Sequence, residues 1–281
     1  MFEKRELTDG TRLLVEIIGR PTVYMDHWAL NDFATIDKLR SRFVSGMKRT
    51  GGTLRISVSN IVELLKQSDQ AQVNDILYLL NNVDTGFINL DFNEVIARED
   101  QLIAGAQARQ NPSEEITLIY TYLLALNWPE HWSVSDVVRH GLTNSDNKVF
   151  VGSYDSFANR MKGFLDKTRA NIDYMKKSLA RFRSSRRTNA QYCKATRELI
   201  SHSLDFILQN KNMAMPAKEW HDLYHTIVPV AYCDIVFLDG RWAGFVSQCG
   251  LKPPTIACVF SRRCIEDGIQ AIEGWNTPTE E

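Results

Sequence analysis

The chain has 281 residues, 44% of them hydrophobic, enough for a core that needs no disulfide or metal staple. Its 33 lysines and arginines nearly balance 34 aspartates and glutamates, so a net charge of −1 excludes a polycation that holds nucleic acid through overall charge. Five cysteines without a C-x-x-C pair, no apolar leader in the first six residues and no apolar run of roughly 18 residues predict a soluble, cytoplasmic protein with reduced thiols and no membrane contact.

Residues 22–25 read as a buried strand, followed by a helix over 28–48, a strand over 54–58 and a helix from about Asn60. An amphipathic helix over 73–80, a short strand over 87–90 and a helix over 93–108 come next. Such alternation predicts βαβ units and a parallel sheet. From about 107 to 216 helical periodicity replaces it, broken by a Gly/Asn/Ser/Asp-rich stretch at 141–146. Met161, Phe164, Ile172, Met175, Leu179 and Phe182 stand at near-heptad spacing, which predicts one long helix over 154–183, paired in a hairpin with a helix over 190–207. After Pro216 the alternation resumes, with a helix over 220–231, strands over 235–238 and 255–260, and a helix over 261–272. The expected architecture is therefore one α/β domain, a parallel sheet flanked by helices, built from about 1–106 and 217–281 and interrupted by a helical insertion over 107–216.

Four carboxylates fall where these elements end or begin. Asp26 follows the first strand, Glu63 and Asp222 are expected in the first turns of their helices, and Asp239 follows the strand over 235–238. In an open parallel sheet ligands bind beyond the carboxyl ends of the strands, so all four are expected at one crevice. Gathered acids suit Mg²⁺ or Mn²⁺, hard ions that take oxygen ligands and are completed by the oxygens of a phosphate substrate. Each acid also has a simpler explanation. Asn60-x-x-Glu63 has capping-box spacing, Asp222 suits the positive start of a helix, and Asp239-Gly240 suits a turn. Asp234, at the wrong end of its strand, is expected to serve a turn; Asp91 is an outer candidate, and His225 is expected to be a satisfied, partly buried histidine.

Three segments carry a family resemblance: Val23-Tyr24-Met25-Asp26, Ser57-Val58-Ser59-Asn60-Ile61-Val62-Glu63, and the block from Asp222-Leu223-Tyr224-His225 through Ala231-Tyr232-Cys233-Asp234-Ile235-Val236-Phe237-Leu238-Asp239. Together they resemble the PIN-domain nucleases, metal-dependent ribonucleases with three or four acids at the edge of a parallel α/β sheet. The resemblance implies a PIN-like fold and an endoribonuclease in which Asp26, Glu63, Asp222 and Asp239 hold Mg²⁺ or Mn²⁺ and hydrolyse RNA. Toxins, RNA-processing factors and defence nucleases are all roles it allows. The chain departs from the family pattern in the His27-Trp28 that follows Asp26 and in the long gap between Glu63 and Asp222.

Lys176, Lys177, Arg181, Arg183, Arg186, Arg187, Lys194 and Arg197 crowd around the tip of the expected hairpin. Local clusters of this kind bind phosphate backbones, so RNA, or single-stranded DNA, is the expected partner, although a solvated helix face is the ordinary fate of a charge run. Tyr174 and Phe182 lie among them as candidate stacking residues. The alternative is a non-catalytic RNA-binding or scaffolding protein of the same fold. A HAD-type phosphatase ranks below both, because Trp28 stands where that chemistry needs a second aspartate. A homodimer and an inhibitor protein are left open.

Overall fold

A computed structural model describes residues 2–6, 8–9, 12–106, 123, 125–127, 131–143, 147–184, 194–210 and 212–276. The chain begins with an antiparallel hairpin of β1 (Phe2–Glu6) and β2 (Arg12–Glu16), elements absent from the sequence expectation. β3 (Thr22–Met25) follows, then α1 (His27–Thr35) and α2 (Asp37–Thr50), where one helix is expected. The break falls at extended Ile36. Thr35 and Ile36 are β-branched and weak in a helix, whereas Asp37 suits the positive start of a new one. Gly51 ends α2 at φ 66°, a left-handed conformation that glycine adopts without strain.

β4 (Thr53–Ile56) leads into α3 (Val58–Lys66), which starts earlier than expected because Ser57 and Asn60 cap it reciprocally. After α4 (Gln70–Asn82) comes β5 (Asp84–Phe87), three residues before the expected strand. Asn89 and Asp91 turn the chain there, and Asp91 caps α5 (Phe92–Ile103). The central helices are α6 (Val134–Thr143), α7 (Asn147–Ala170), α8 (Ile172–Ser184) and α9 (Thr196–Gln209). The long helix expected over 154–183 is thus two helices. Asn171 divides them, its Oδ1 accepting from the Tyr174 amide at 3.0 Å as a cap of α8. α8 and α9 pack side by side. The last elements are α10 (Ala217–Tyr232), β6 (Ile235–Phe237), α11 (Gly240–Gln248), β7 (Cys258–Phe260), a 3₁₀ turn at Arg262–Cys264 and α12 (Ile265–Glu273).

β3 to β7 form one five-stranded sheet in the order β5-β4-β3-β6-β7, every neighbouring pair parallel and helices on both faces. The central strands β3 and β6 are largely apolar on both sides, as such a sheet requires. Val23, Met25, Ile235 and Phe237 join Phe33, Phe43 and Ile269 in one buried cluster. Tyr24 and Val236 point the other way, into a cluster with Trp220 of α10 and Trp242 of α11. Leu165 of α7 and Leu199 and Ile207 of α9 belong to that second cluster, so central helices complete the cover of the sheet. The N-terminal hairpin covers an edge. Glu16 Oε1 accepts from the Phe87 amide of β5 at 3.2 Å and pairs with buried Arg55 of β4 at 2.8 Å. Among the described residues no helix is long and apolar enough to cross a membrane, and no disulfide joins Cys233, Cys249, Cys258 and Cys264.

Two helical glycines should respond oppositely to the same change. A Cβ on Gly268 of α12 would lie 2.6 Å from Phe237 Cζ, inside the core, so Gly268→Ala is expected to destabilise the fold by about 1–3 kcal/mol. Gly163 of α7 has nothing within 4 Å of its would-be Cβ, and Gly163→Ala should stabilise by about 0.5–1 kcal/mol through helix propensity. Urea unfolding of both variants checks the pair, and shifts of equal sign would contradict the packing at α12.

Candidate active site

β3 and β6 are neighbours, but the chain leaves them in opposite directions: from β3 to β4 on one side, from β6 to β7 on the other. This is a topological switch point, where the loops beyond the strands part and leave a crevice. Asp26 sits at its mouth. Its amide donates to the Phe237 carbonyl at 3.1 Å, extending the ladder by one bond beyond Met25. Its carboxylate caps α1 by accepting from the Ala29 amide at 3.2 Å and also accepts from the Asp239 backbone. Asp239 is exposed and caps α11, its Oδ1 accepting from the Arg241 amide at 2.9 Å. Glu63 projects from the second turn of α3 and Asp222 from the second turn of α10. All four line one cavity of about 320 Å³, together with His27, His225, Lys218 and Arg262.

Burial dominates the electrostatics. Asp26, 8% exposed, has its carboxyl pushed well above the ordinary range by burial, and the charges of Glu63 and Asp222 add to that while the Ala29 and Asp239 amides pull it back. Burial, then the Asp222 charge, carries Glu63 to about 8 against the opposing pull of Lys66 and Lys218. Asp222 is raised to about 6 by burial and then by Glu219 and Asp239, with Lys218 and Arg241 opposing. Glu63 Oε2 is buried and makes no hydrogen bond; the nearest ring nitrogens, His225 Nε2 and His27 Nδ1, lie 3.6 and 3.7 Å away. Neither histidine supplies a strong counter-charge. Burial lowers both, and His225, bonded to the Tyr24 hydroxyl through Nδ1, falls to about 3.

The positive groups stand at the rim. Lys218 lies one helical turn before Asp222 and is exposed. Arg262 is fixed by Asp32, with Nε to Oδ2 and Nη2 to Oδ1 both at 3.0 Å, and its guanidinium lies over the Trp28 ring at 5.1 Å. The cavity thus offers oxygen donors inside and cations at its mouth, a pattern suited to a phosphate bound through a divalent cation. As they stand, no three His, Cys, Asp or Glu side chains among the described residues are close enough to hold an ion between them.

Several expectations need correction. Glu63 is not the capping residue of α3, since Asn60 fills that position and satisfies Ser57. Glu63 and Asp222 stand beyond the first turns of their helices, so neither is explained by a helix start. Asp239 opens α11, a helix where only a turn is expected. Asp91 caps α5 and does not line the cavity. Asp234 lies at the opposite end of the sheet, where it accepts from the Thr22 amide and hydroxyl and from Arg20. His225 is fully rather than partly buried, at 1% exposure.

None of the basic residues expected to contact RNA lines the acidic cavity. Lys176, Lys177 and Arg181 are exposed on α8, and the Arg183 side chain, Arg186 and Arg187 lie outside the described residues, as does the Phe182 side chain. Tyr174 is exposed. Arg197 pairs with Asp100, and Lys194 stands over the Tyr232 ring. Lys218 and Arg262 are site residues absent from the sequence expectation. Spacing alone could have found Lys218, four residues before Asp222 on one helix face; Arg262 carries no such signal beyond its place just after a strand.

The fold and site define an α/β protein with an acidic cavity at the switch point of a parallel sheet. No protein-family model, curated protein or solved structure matches the chain.

The raised Glu63 carboxyl has a consequence for stability. Between about pH 4.5 and 8 the folded chain keeps a proton that the unfolded chain has released, so metal-free stability should fall as pH rises through that window. Each pH unit crossed there costs up to about 1.4 kcal/mol, and Glu63→Gln should exceed the wild type in stability at pH 8.5 by about that much or more. Denaturation in EDTA at pH 5 and 8.5 measures it; parallel pH profiles for the two proteins would contradict the burial of Glu63.

Proposed function

We propose that the chain is a metal-dependent nuclease of PIN-like fold that hydrolyses RNA phosphodiester bonds. One observation carries this reading: Glu63 Oε2 is buried without a hydrogen-bond partner, in a cavity shared with Asp26, Asp222 and Asp239, and burial pushes the Glu63 and Asp222 carboxyls upward in pKa. Carboxylates are withdrawn from water without a partner only where another need offsets the cost. Asp26 and Asp239 serve as caps, whereas Glu63 and Asp222 serve no evident structural purpose.

The four acids would hold Mg²⁺ or Mn²⁺ by donor chemistry, and such an ion, when bound, activates water and neutralises charge on a phosphate. Lys218 and Arg262 would bind the phosphate oxygens at the rim, Arg262 already oriented by Asp32 and Trp28. Water would give up a proton as its oxygen bonds to phosphorus, the bond to the leaving sugar oxygen would break, and that oxygen would take up a proton. Exposed Lys176, Lys177 and Arg181 on α8 would extend the contact with the strand. The separation of the acids favours a second reading, an RNA-binding protein that does not cleave.

End-labelled single-stranded RNA incubated with Mn²⁺ or EDTA separates the two. The wild type is expected to cleave with Mn²⁺ alone, and Asp222→Asn to lose on the order of 100-fold or more of that rate. Millimolar Mn²⁺ should also raise the melting temperature of the wild type and not of Asp222→Asn. RNA bound without cleavage, together with an unmoved melting temperature, would replace the nuclease by the binding protein.

A further inference from the structure

A second cleft, of about 630 Å³, opens beside the acidic cavity and is lined by Phe206, Gln209, Asn210, Asn212, Met213 and Arg241. Its volume is within the range of about 300–1,000 Å³ usual for small-ligand sites. Arg241 joins the two. Its amide is bonded to Asp239, its charge bears on Asp222, its guanidinium pairs with Glu219 at 2.7 Å, and the residue lines the cleft. Phosphate contact from this position would fall next to the acids.

The rest of the lining has a different chemistry. Three exposed amides stand at the end of α9, Gln209 as its last residue and Asn210 and Asn212 beyond it, each pairing a donor with an acceptor in one plane. Gln209 Nε2 gives one bond to Asp205 Oδ1 at 2.6 Å and Asn210 Nδ2 one to the Phe206 carbonyl at 2.7 Å, which orients both and leaves their amide oxygens without a partner among the described residues. Half-buried Phe206 and Met213 supply an apolar floor. Arg169 of α7 donates to the Met213 carbonyl at 2.9 Å and to those of Ile207 and Asn210 at 2.6 and 2.9 Å, capping the carboxyl end of α9.

An aromatic ring and fixed amides recognise the face and the edge of an unpaired base, and a cation beside them recognises its phosphate. We infer that this cleft holds one unpaired nucleotide of the RNA strand next to the bond being cut, with Gln209, Asn210 and Asn212 reading the base edge and Arg241 contacting the phosphate. The inference rests on the nuclease reading for the identity of the strand, and it gives that site a sequence preference.

Binding of fluorescent single-stranded RNA 12-mers of different sequence in EDTA tests the cleft without cleavage. The wild type should distinguish its best from its worst sequence by at least about tenfold, each lost base contact being worth about one such factor. Asn210→Ala/Asn212→Ala should bring that ratio close to one, whereas Arg241→Gln should weaken all sequences alike and lower the salt dependence of binding. Melting curves of the variants, expected to match the wild type, check that these exposed substitutions leave the fold intact. Equal affinities in the wild type, or a preference unchanged in the double amide variant, would overturn the inference. Metal-dependent cleavage alongside that negative result would keep the nuclease and remove the cleft; altered sequence preference without cleavage by the wild type would keep the cleft and remove the nuclease.

Discussion

The parallel pairing of β3 with β6 brings Asp26 and Asp239, at the ends of the two strands, to one side of the acidic cavity. These strands are about two hundred residues apart in the chain, and their register, Val23 with Ile235 and Met25 with Phe237, is pinned at the starting end by one side chain. Asp234 accepts from the Thr22 amide at 2.7 Å and from its hydroxyl at 2.9 Å, while its own amide donates to the Thr22 carbonyl. A slip by one residue would turn Val23 and Met25 out of one buried cluster and Tyr24 out of the other, at a cost in both. The latch at one end therefore determines that Asp26 meets the Phe237 carbonyl and the start of α11 at the other.

The acids gathered by that register are unequal. Asp26 and Asp239 each satisfy helix amides, an interaction worth about 1 kcal/mol, so part of their burden is offset by structure. Glu63 and Asp222 stand too far along α3 and α10 for the helix ends to help them, since that field fades within the first turn. Their carboxyls rise to about 8 and 6, and the neighbouring imidazole of His225 is neutral and cannot compensate. A metal-free cavity of this composition makes ionisation of its carboxyls costly, through burial first and through their mutual charge second.

Much of the sheet is legible in the sequence because its strands are apolar runs that end in chemistry-bearing residues: Asp26 and Asp239 stand where that pattern predicts. The N-terminal hairpin is not, because Phe2–Glu6 reads FEKRE and lacks an apolar alternation; what ties it down is Glu16, through Arg55 and the Phe87 amide far along the chain. The division of α7 from α8 is hidden because apolar residues recur across Asn171, so the stripe looks continuous while the side chain caps a new helix. Glu63 misleads for a local reason: capping-box spacing fits Asn60-x-x-Glu63, but Ser57-x-x-Asn60 competes for the same helix start and wins. Arg262 looks like any surface charge in the sequence, since Asp32 and Trp28, which hold it at the rim, are brought to it only by the fold.

The two ends of one sheet show why aspartates of similar sequence setting diverge in role. At the carboxyl edge α1 and α11 begin, and their free amides meet Asp26 and Asp239. At the opposite edge Asp234 is balanced by the Arg20 guanidinium and held by Thr22, so its bonds are already filled. An acid whose bonds are filled is fixed in place and available for little else. The acids of the crevice face a cavity with cations only at its mouth, and Arg241, bonded to one of them through its backbone, lines the neighbouring cleft. The polarity of the parallel sheet, more than any single residue, separates the end where an aspartate's bonds are filled from the end where acids face an open cavity.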